Sequence, residues 1–503
     1  MKQTNKIKKF SLRRKLTIAV HCSLLVVTCL FFAGCAKKAA PSQPAPIPSQ
    51  PTLHLASFAP DTLNPFQTQN AAAKQILNLV YEPLIWCDAS MNPVPILAQS
   101  WTSSNNCTVW DVSLRPNVQF QDGSALTPSD VINSLNQAKS SATYSYIFKD
   151  IKEFHSSGND IIFTLNQAVP NFISLLEIPI IKGDNLGTGC YKITDTTTNK
   201  YMELTAFDGW WNPDKPNITD INIQFMPDQN TFFFAFNAGE VDMATANNDD
   251  LSQYTFSANA ATVSLPTTKF NFMGFNGTRT SLFTTEMKQA INSALDKAQL
   301  SSTVFSGKVT TANTFINPLF SMASQEYNGG IFSLQNAQNI LSNYNGKKSF
   351  ELLVNQENTN RVNVAQFIAD SLKPLGINVT VKKVAYADYI NAIKTYNYDA
   401  FIGEIQLPNN SAPTILFENN NMFAYSSDNM NQELANWQQQ TTDAGLQGGY
   451  HYTSAQYLTD LPFISLYFET NTVLYSEKLT STKGKFAPYP DNPFADINYW
   501  KFK

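Results

Sequence analysis

Apolar residues along this chain recur in two rhythms. Between 364 and 375, Val364, Phe367, Ile368, Leu372 and Leu375 share one helical face, and Pro374 with Gly376 marks the end of the predicted helix. Residues 377–384 then alternate, with Ile377, Val379 and Val381 inward, as a strand does. A helix over 389–394 and a buried strand over 398–402 complete a β-α-β unit, the mark of a sheet with crossover helices. A further helix is predicted over 285–300, with Met287, Ile291, Ala294, Leu295 and Ala298 in phase, after an apolar strand at 270–275. These stripes predict core packing in an α/β protein. They name no chemistry.

The first residues break the rhythm. Lys2, Lys6, Lys8, Lys9, Arg13, Arg14 and Lys15 precede an apolar run over 16–34. A positive stretch, an apolar stretch and small residues before a break predict a bacterial secretory signal. Phe32-Ala33-Gly34-Cys35 resembles the lipobox of bacterial lipoproteins, so residues 1–35 are expected to be removed up to a lipidated Cys35. A plain anchor helix is the alternative for a run of that length. Residues 36–52 hold five prolines and predict a stiff tether reaching up to about 50 Å at ~3.1 Å per residue. The expected location is the bacterial cell envelope, on the periplasmic side and lipid-anchored.

Composition adds one exclusion. The 503 residues carry a formal charge of −4, and 43% are hydrophobic, as in a globular protein. The basic leader masks an acidic body, which would repel a phosphate backbone, so nucleic acid is not an expected partner. Three cysteines lie beyond the leader. Cys87 and Cys107 stand beside strand-like stretches that a hairpin could bring together; a disulfide and free thiols are both open.

Catalytic signatures are missing. There is no G-x-S-x-G, no H-E-x-x-H, and no Walker glycine before Gly307-Lys308 or Gly346-Lys347. Gly187-Thr188-Gly189 has only the first two glycines of a dinucleotide fingerprint. His54, His155 and His451 are scattered, without metal-ligand spacing. No enzyme, cofactor or metal is expected.

Several blocks in order resemble family 5 of the extracellular solute-binding proteins, the oligopeptide- and dipeptide-binding components of bacterial ABC importers. They are 59–65 (APDTLNP), 81–84 (YEPL), 95–101 (PILAQSW), 114–131 (LRPNVQFQDGSALTPSDV), 187–191 (GTGCY), 237–242 (NAGEVD) and 274–276 with 288–291 and Asp296. The longest reads as scaffold. Asp122-Gly123 predicts a tight turn, and Thr127, Pro128 and Asp130 predict a capped helix start. Arg115 is expected to be structural, and Asp242 to cap a strand end.

The resemblance implies a periplasmic-binding-protein fold: two α/β lobes closing like a hinged trap, with an extra subdomain in the first. The expected first lobe is 53–269 plus 481–503 and the second 270–480. It also implies a short-peptide ligand, a membrane permease as partner, and a monomer. A metal chelate, haem, sugar or modified peptide is the alternative cargo, and a secreted hydrolase a more distant one. Peptide-binding members are expected to pair the ligand ammonium with an Asp just after the strand matching 398–405. This chain has Gln406, Asn409 and Asn410 there, and neither that Asp nor the neighbouring Trp. Glu404 is therefore the candidate anion. Asn276, Asn355 and Gln356 are candidates at strand ends, with Glu357 beside them. Among three body arginines, Arg279 is the candidate for a ligand carboxylate, and Arg361 is expected to face solvent.

Overall fold

The structure, a computed structural model, describes residues 51–183, 185–247, 260–328 and 332–503. The leader, Cys35 and nearly all of the tether lie outside the described residues. Among those described, no helix is long and apolar enough to cross a membrane.

The frame is an eleven-stranded mixed sheet among the described residues. Two long antiparallel strands, Ala260–Phe275 and Phe463–Ser476, run through its middle. At one end the second pairs with Met243–Asn247, and the sheet continues through Leu53–Ser57, Asp220–Phe225, Tyr201–Ala206 and Tyr191–Thr197. At the other end the first pairs with Ala400–Gln406, followed by Ser349–Asn355 and the edge strand Asn378–Val384. Between those ends the pairing of the long strands slips, at Pro266/Phe270 and at Asn271/Phe272. Such irregularities bend a ladder.

Each end has its own core. Residues from Leu53 to Ile223 form one, joined by Leu265, Val473, Leu479 and Trp500. On the other half, one face packs Ile291, Leu300, Val364 and Ile368 over Leu352 and Ile402. The opposite face is aromatic: Phe272, Phe401, Phe423 and Phe463 lie together, with Phe423 and Phe463 centroids 4.8 Å apart. A separate four-stranded sheet is built from Ala98–Ser104, Val109–Leu114, Asp160–Leu165 and Ile151–Ser157, and the helix Pro128–Lys139 packs on it.

The local expectations have physical counterparts. Thr127 and Asp130 form a capping box with Pro128 in the first turn. Gly123 turns at φ +83° and Gly376 ends its helix at φ +71°. Asp242 accepts a 3.0 Å hydrogen bond from the His54 N–H, tying two strands. A Cβ on Gly187 would lie 1.9 Å from the Val80 carbonyl oxygen, so backbone contact requires a glycine there. Thr188 beside it donates to the buried Glu82 carboxylate at 2.8 Å, which also accepts from Trp210 and Trp211. Arg115 lies 4.0 Å over the Trp211 ring and donates to the Ile96 carbonyl, a structural role.

Three expectations need correction or resolution. The single helix over 285–300 is two, Thr285–Ala294 and Lys297–Phe305. Leu295 is extended, and Asp296 caps the second helix by accepting from the Gln299 N–H, so a helix start interrupts an unbroken apolar phase. Cys87 and Cys107 are both buried free thiols, as is Cys190. Arg361 does not face solvent: its side chain is 13% exposed and pairs with Glu404 at 2.9 Å.

Candidate functional site

A cavity of about 440 Å³ is lined by segments that pack on the first core, by Lys269 of the long strand, and by Gln406 and Asn409 from the other half of the sheet. Lys74 enters it from the helix Ala71–Leu77, which Asn70 caps by accepting from the Ala72 and Ala73 N–H groups. Trp86 comes from the short strand Ile85–Cys87. Tyr144 and Tyr146 stand at the start of the turn Ser145–Lys149, and Glu177 follows the turn Phe172–Leu175. Lys269 reaches it from the long strand that runs through both halves, and from the other side come Gln406 at a strand end and Asn409 in the loop beyond it. Asp491 closes the ring from the C-terminal segment.

Charges of both signs therefore converge on one space. Glu177 accepts from the Cys87 N–H on one carboxylate oxygen and from the Asn409 amide, at 2.6 Å, on the other. Burial pushes its pKa up to about 8, and the Asp491 charge adds to the rise. Asp491 is solvent-exposed where it lines the cavity. The protein around it still raises its pKa, against the pull of Lys269, Gln406 and Lys74. Lys74 donates to the Thr143 hydroxyl at 3.2 Å, and burial lowers its pKa while Asp491 and Asp61 oppose the shift. Gln406 donates to the Thr268 hydroxyl at 2.6 Å.

Two smaller spaces adjoin. One, about 240 Å³, shares Tyr146, Ile147 and Leu175 with the main cavity and adds Val169, Phe172, Ile415 and Trp437, so it is largely apolar. Asn410 lines it, and an exposed Lys149–Glu418 pair at 2.7 Å stands at its rim. The other, about 190 Å³, shares Lys269 and is polar. Arg361 there donates to Glu404 at 2.9 Å and to Asn355 at 3.2 Å. Glu469 lies 3.6 Å from Lys269. Burial and the Glu404 charge raise the Glu469 pKa to about 7. Burial would raise Glu404 as well, but the Glu469 hydrogen bond and Arg361 win and lower it.

The predicted residues thus separate. Gln406 and Asn409 line the main cavity. Glu404 lies in the smaller polar space, already ion-paired, and Asn355 supports its partner. Asn410 is buried, its carbonyl accepting from Tyr450 at 2.7 Å. Asn276 is buried and donates to the Tyr396 and Tyr398 carbonyls, holding a loop. Arg279 pairs with Asp399 at 3.7 Å, Gln356 is exposed, and Glu357 accepts from the Tyr386 N–H. Sequence reading missed Lys74, Trp86, Tyr144, Tyr146, Glu177, Lys269 and Asp491. One had a signal: Glu177 is a lone acid inside the apolar run 172–181. Among the described residues no group of three or more His, Cys, Asp or Glu is placed to hold a metal ion.

Comparison with known proteins gives this geometry a context. The model of the "Bacterial extracellular solute-binding proteins, family 5 Middle" matches residues 92–426, well over half of the chain. The glutathione-binding protein GsiB of Escherichia coli (strain K12) is 22% identical over 342 residues, covering 64% of this chain and 67% of its own length. Among solved structures, the periplasmic murein tripeptide-binding protein MppA, in its unliganded open form, aligns with a TM-score of 0.79 at 16% identity, covering 90% of this chain and 97% of MppA. NikZ from Campylobacter jejuni, in complex with Ni(L-His), aligns at 0.66 and 20% identity, covering 90% and 100%. The fold is the two-lobed α/β fold of periplasmic binding proteins.

Proposed function

Because this chain belongs to the family 5 bacterial extracellular solute-binding proteins, we propose that it captures short peptides between its lobes and delivers them, unaltered, to the permease of an ABC importer. The carrying observation is the cavity of about 440 Å³ into which segments from both halves of the sheet direct charged and amide side chains. A peptide presents an ammonium, a carboxylate and a row of amides. Lys269 and Lys74 suit the carboxylate, Glu177 and Asp491 the ammonium, and Gln406 and Asn409 the amides. Closing on such a ligand strengthens each contact by excluding water.

The first lobe is read as 53–269 with the C-terminal segment, carrying the four-stranded sheet as its subdomain. The second begins near 270. Its end is read near 480, close to where Val473 and Leu479 pack in the first core. The bend between the long strands then serves as the hinge. A lipidated Cys35 and the proline-rich tether would hold this monomer at the membrane; a Cys35→Ala chain is expected in the soluble fraction. The same volume suits another small solute, and NikZ, of this fold, was solved with Ni(L-His). Thermal shift against di- and tripeptides, glutathione and metal chelates separates these readings. A ligand at ~100 times its dissociation constant should stabilise the protein by about 2.7 kcal/mol. Stabilisation by chelates alone would replace peptide as the cargo, and turnover of any peptide would replace binding with hydrolysis.

A further inference from the structure

Strand register puts four polar side chains on one face of the sheet. Lys269 stands opposite Gln406 and Asn271 opposite Glu404, and alternation along each strand keeps all four on the same side. Glu469 joins them from the second long strand. Its carboxyl accepts from the Asn271 amide at 3.4 Å and lies 3.6 Å from the Lys269 ammonium. Glu404 and Glu469 are also hydrogen-bonded to each other. Two ionised carboxylates offer only acceptors, so that bond requires a proton on one of them. Arg361 pairs with Glu404, and Lys308 and Tyr467 line the same polar space. Burial and the Glu404 charge raise the Glu469 pKa, which places the proton on Glu469. Lys269 lines both this space and the main cavity, where its charge acts on Asp491 as well.

We propose that Glu404 and Glu469 form a proton-sharing dyad that sets how far Lys269 is committed to the dyad or to the solute cavity. With one proton held, the dyad carries a single negative charge, which Arg361 balances, and Lys269 is left to attract a solute carboxylate. With that proton lost, the second charge holds the Lys269 ammonium. Above neutrality, capture of a carboxylate-bearing solute then takes up a proton, and affinity falls as pH rises. This regulation rests on the cavity being the solute site. On the cavity side Lys74, Glu177 and Asp491 line the same space as Lys269, and Glu177 titrates in the same range. The dyad is therefore read from variants that lack it rather than from a pH profile alone.

Acetylation of the full chain by N-hydroxysuccinimidyl acetate, read at Lys269 by peptide mass spectrometry, tests the coupling without a solute. At pH 6 the wild type and Glu469→Gln both hold one negative charge beside Lys269, which should react alike in the two. At pH 8 the wild-type dyad holds two, and Lys269 should react about tenfold more slowly than in Glu469→Gln because the added carboxylate keeps it protonated. The same ratio at both pH values overturns the proposal. Calorimetry with tri-alanine and tri-alanine amide tests the effect on capture. The wild type's preference for the free carboxylate should fall about tenfold from pH 6 to pH 8, and Glu469→Gln should lose much less of it. No preference at either pH, or the same fall in both chains, overturns the proposal while leaving peptide capture standing. If neither peptide binds, peptide capture fails and the acetylation ratio alone decides the dyad. Should Glu469→Gln not fold, Glu404→Gln gives the same readout.

Discussion

Asn409 donates a 2.6 Å hydrogen bond to Glu177, joining the loop after one lobe's strand to a segment in the other lobe. The bond is a specific strap between the two lobes.

Asn409→Ala should therefore weaken ligand capture more than stability. Burial keeps the Glu177 carboxyl largely protonated near neutral pH, so loss of this hydrogen bond should cost about 0.5–1.5 kcal/mol, or up to about a tenfold rise in dissociation constant. Small-angle scattering should show the variant more extended at equal ligand concentration. An unchanged affinity and scattering profile would remove the strap from the mechanism.

The pair Glu404–Glu469 predicts a pH dependence. Glu469 is raised to about 7 in the folded protein from an ordinary value of 4.5. Between those values the unfolded chain has released this proton and the folded chain has kept it. Stability therefore falls as pH rises through that window, and the full penalty is present above it. Glu469→Gln removes the penalty. With the side chain 31% exposed and partly screened, we expect it to be about 1–2 kcal/mol more stable than wild type at pH 8 and nearly equal at pH 4. Urea unfolding at both pH values reads the difference; equal stability at both would mean the two carboxyls do not share a proton.

Glu82 should matter to folding rather than to binding. It accepts from Trp210, Trp211 and Thr188 in the first core, and burial raises its pKa to about 7. Glu82→Leu leaves two buried donors, Thr188 and Trp210, and the half-buried Trp211 without this acceptor, at a cost of about 2–5 kcal/mol. A lower urea midpoint with solute affinity preserved in the folded fraction is the expected pattern. A midpoint within error of wild type would show the donors find other partners.

The three body thiols should be silent in the native state. Cys87 and Cys190 are buried and burial pushes both thiols up, so little thiolate is present near neutral pH. Cys107 is buried as well. Alkylation of all three only after denaturation, without prior reduction, is expected. A Cys87–Cys107 bridge in non-reducing peptide mapping would contradict this.

Much of the fold was legible because its signals are local. The alternation at 377–384, the capping residues at 127–130 and the αL glycine at 376 each act on near neighbours. The break at 295–296 was not legible, since the apolar phase runs through it and only the Asp296 cap marks a new start. The cavity was mostly hidden because Lys74, Glu177, Lys269, Asn409 and Asp491 meet only when the lobes do. Glu404 lies on the expected strand, but Arg361, from the first turn of the helix Thr359–Leu372, pairs with it. No pattern in one dimension reports such a pairing.

The central claim is reversible capture of a small solute in the interlobe cavity. Its most direct test is to denature the purified protein, identify by mass spectrometry what is released, and rebind that molecule to refolded wild type and Lys269→Ala by calorimetry. The expected result is one solute per chain, rebinding chemically unchanged, with affinity reduced about tenfold or more in the variant. A solute that rebinds equally well to the variant, or that emerges chemically altered, would contradict it.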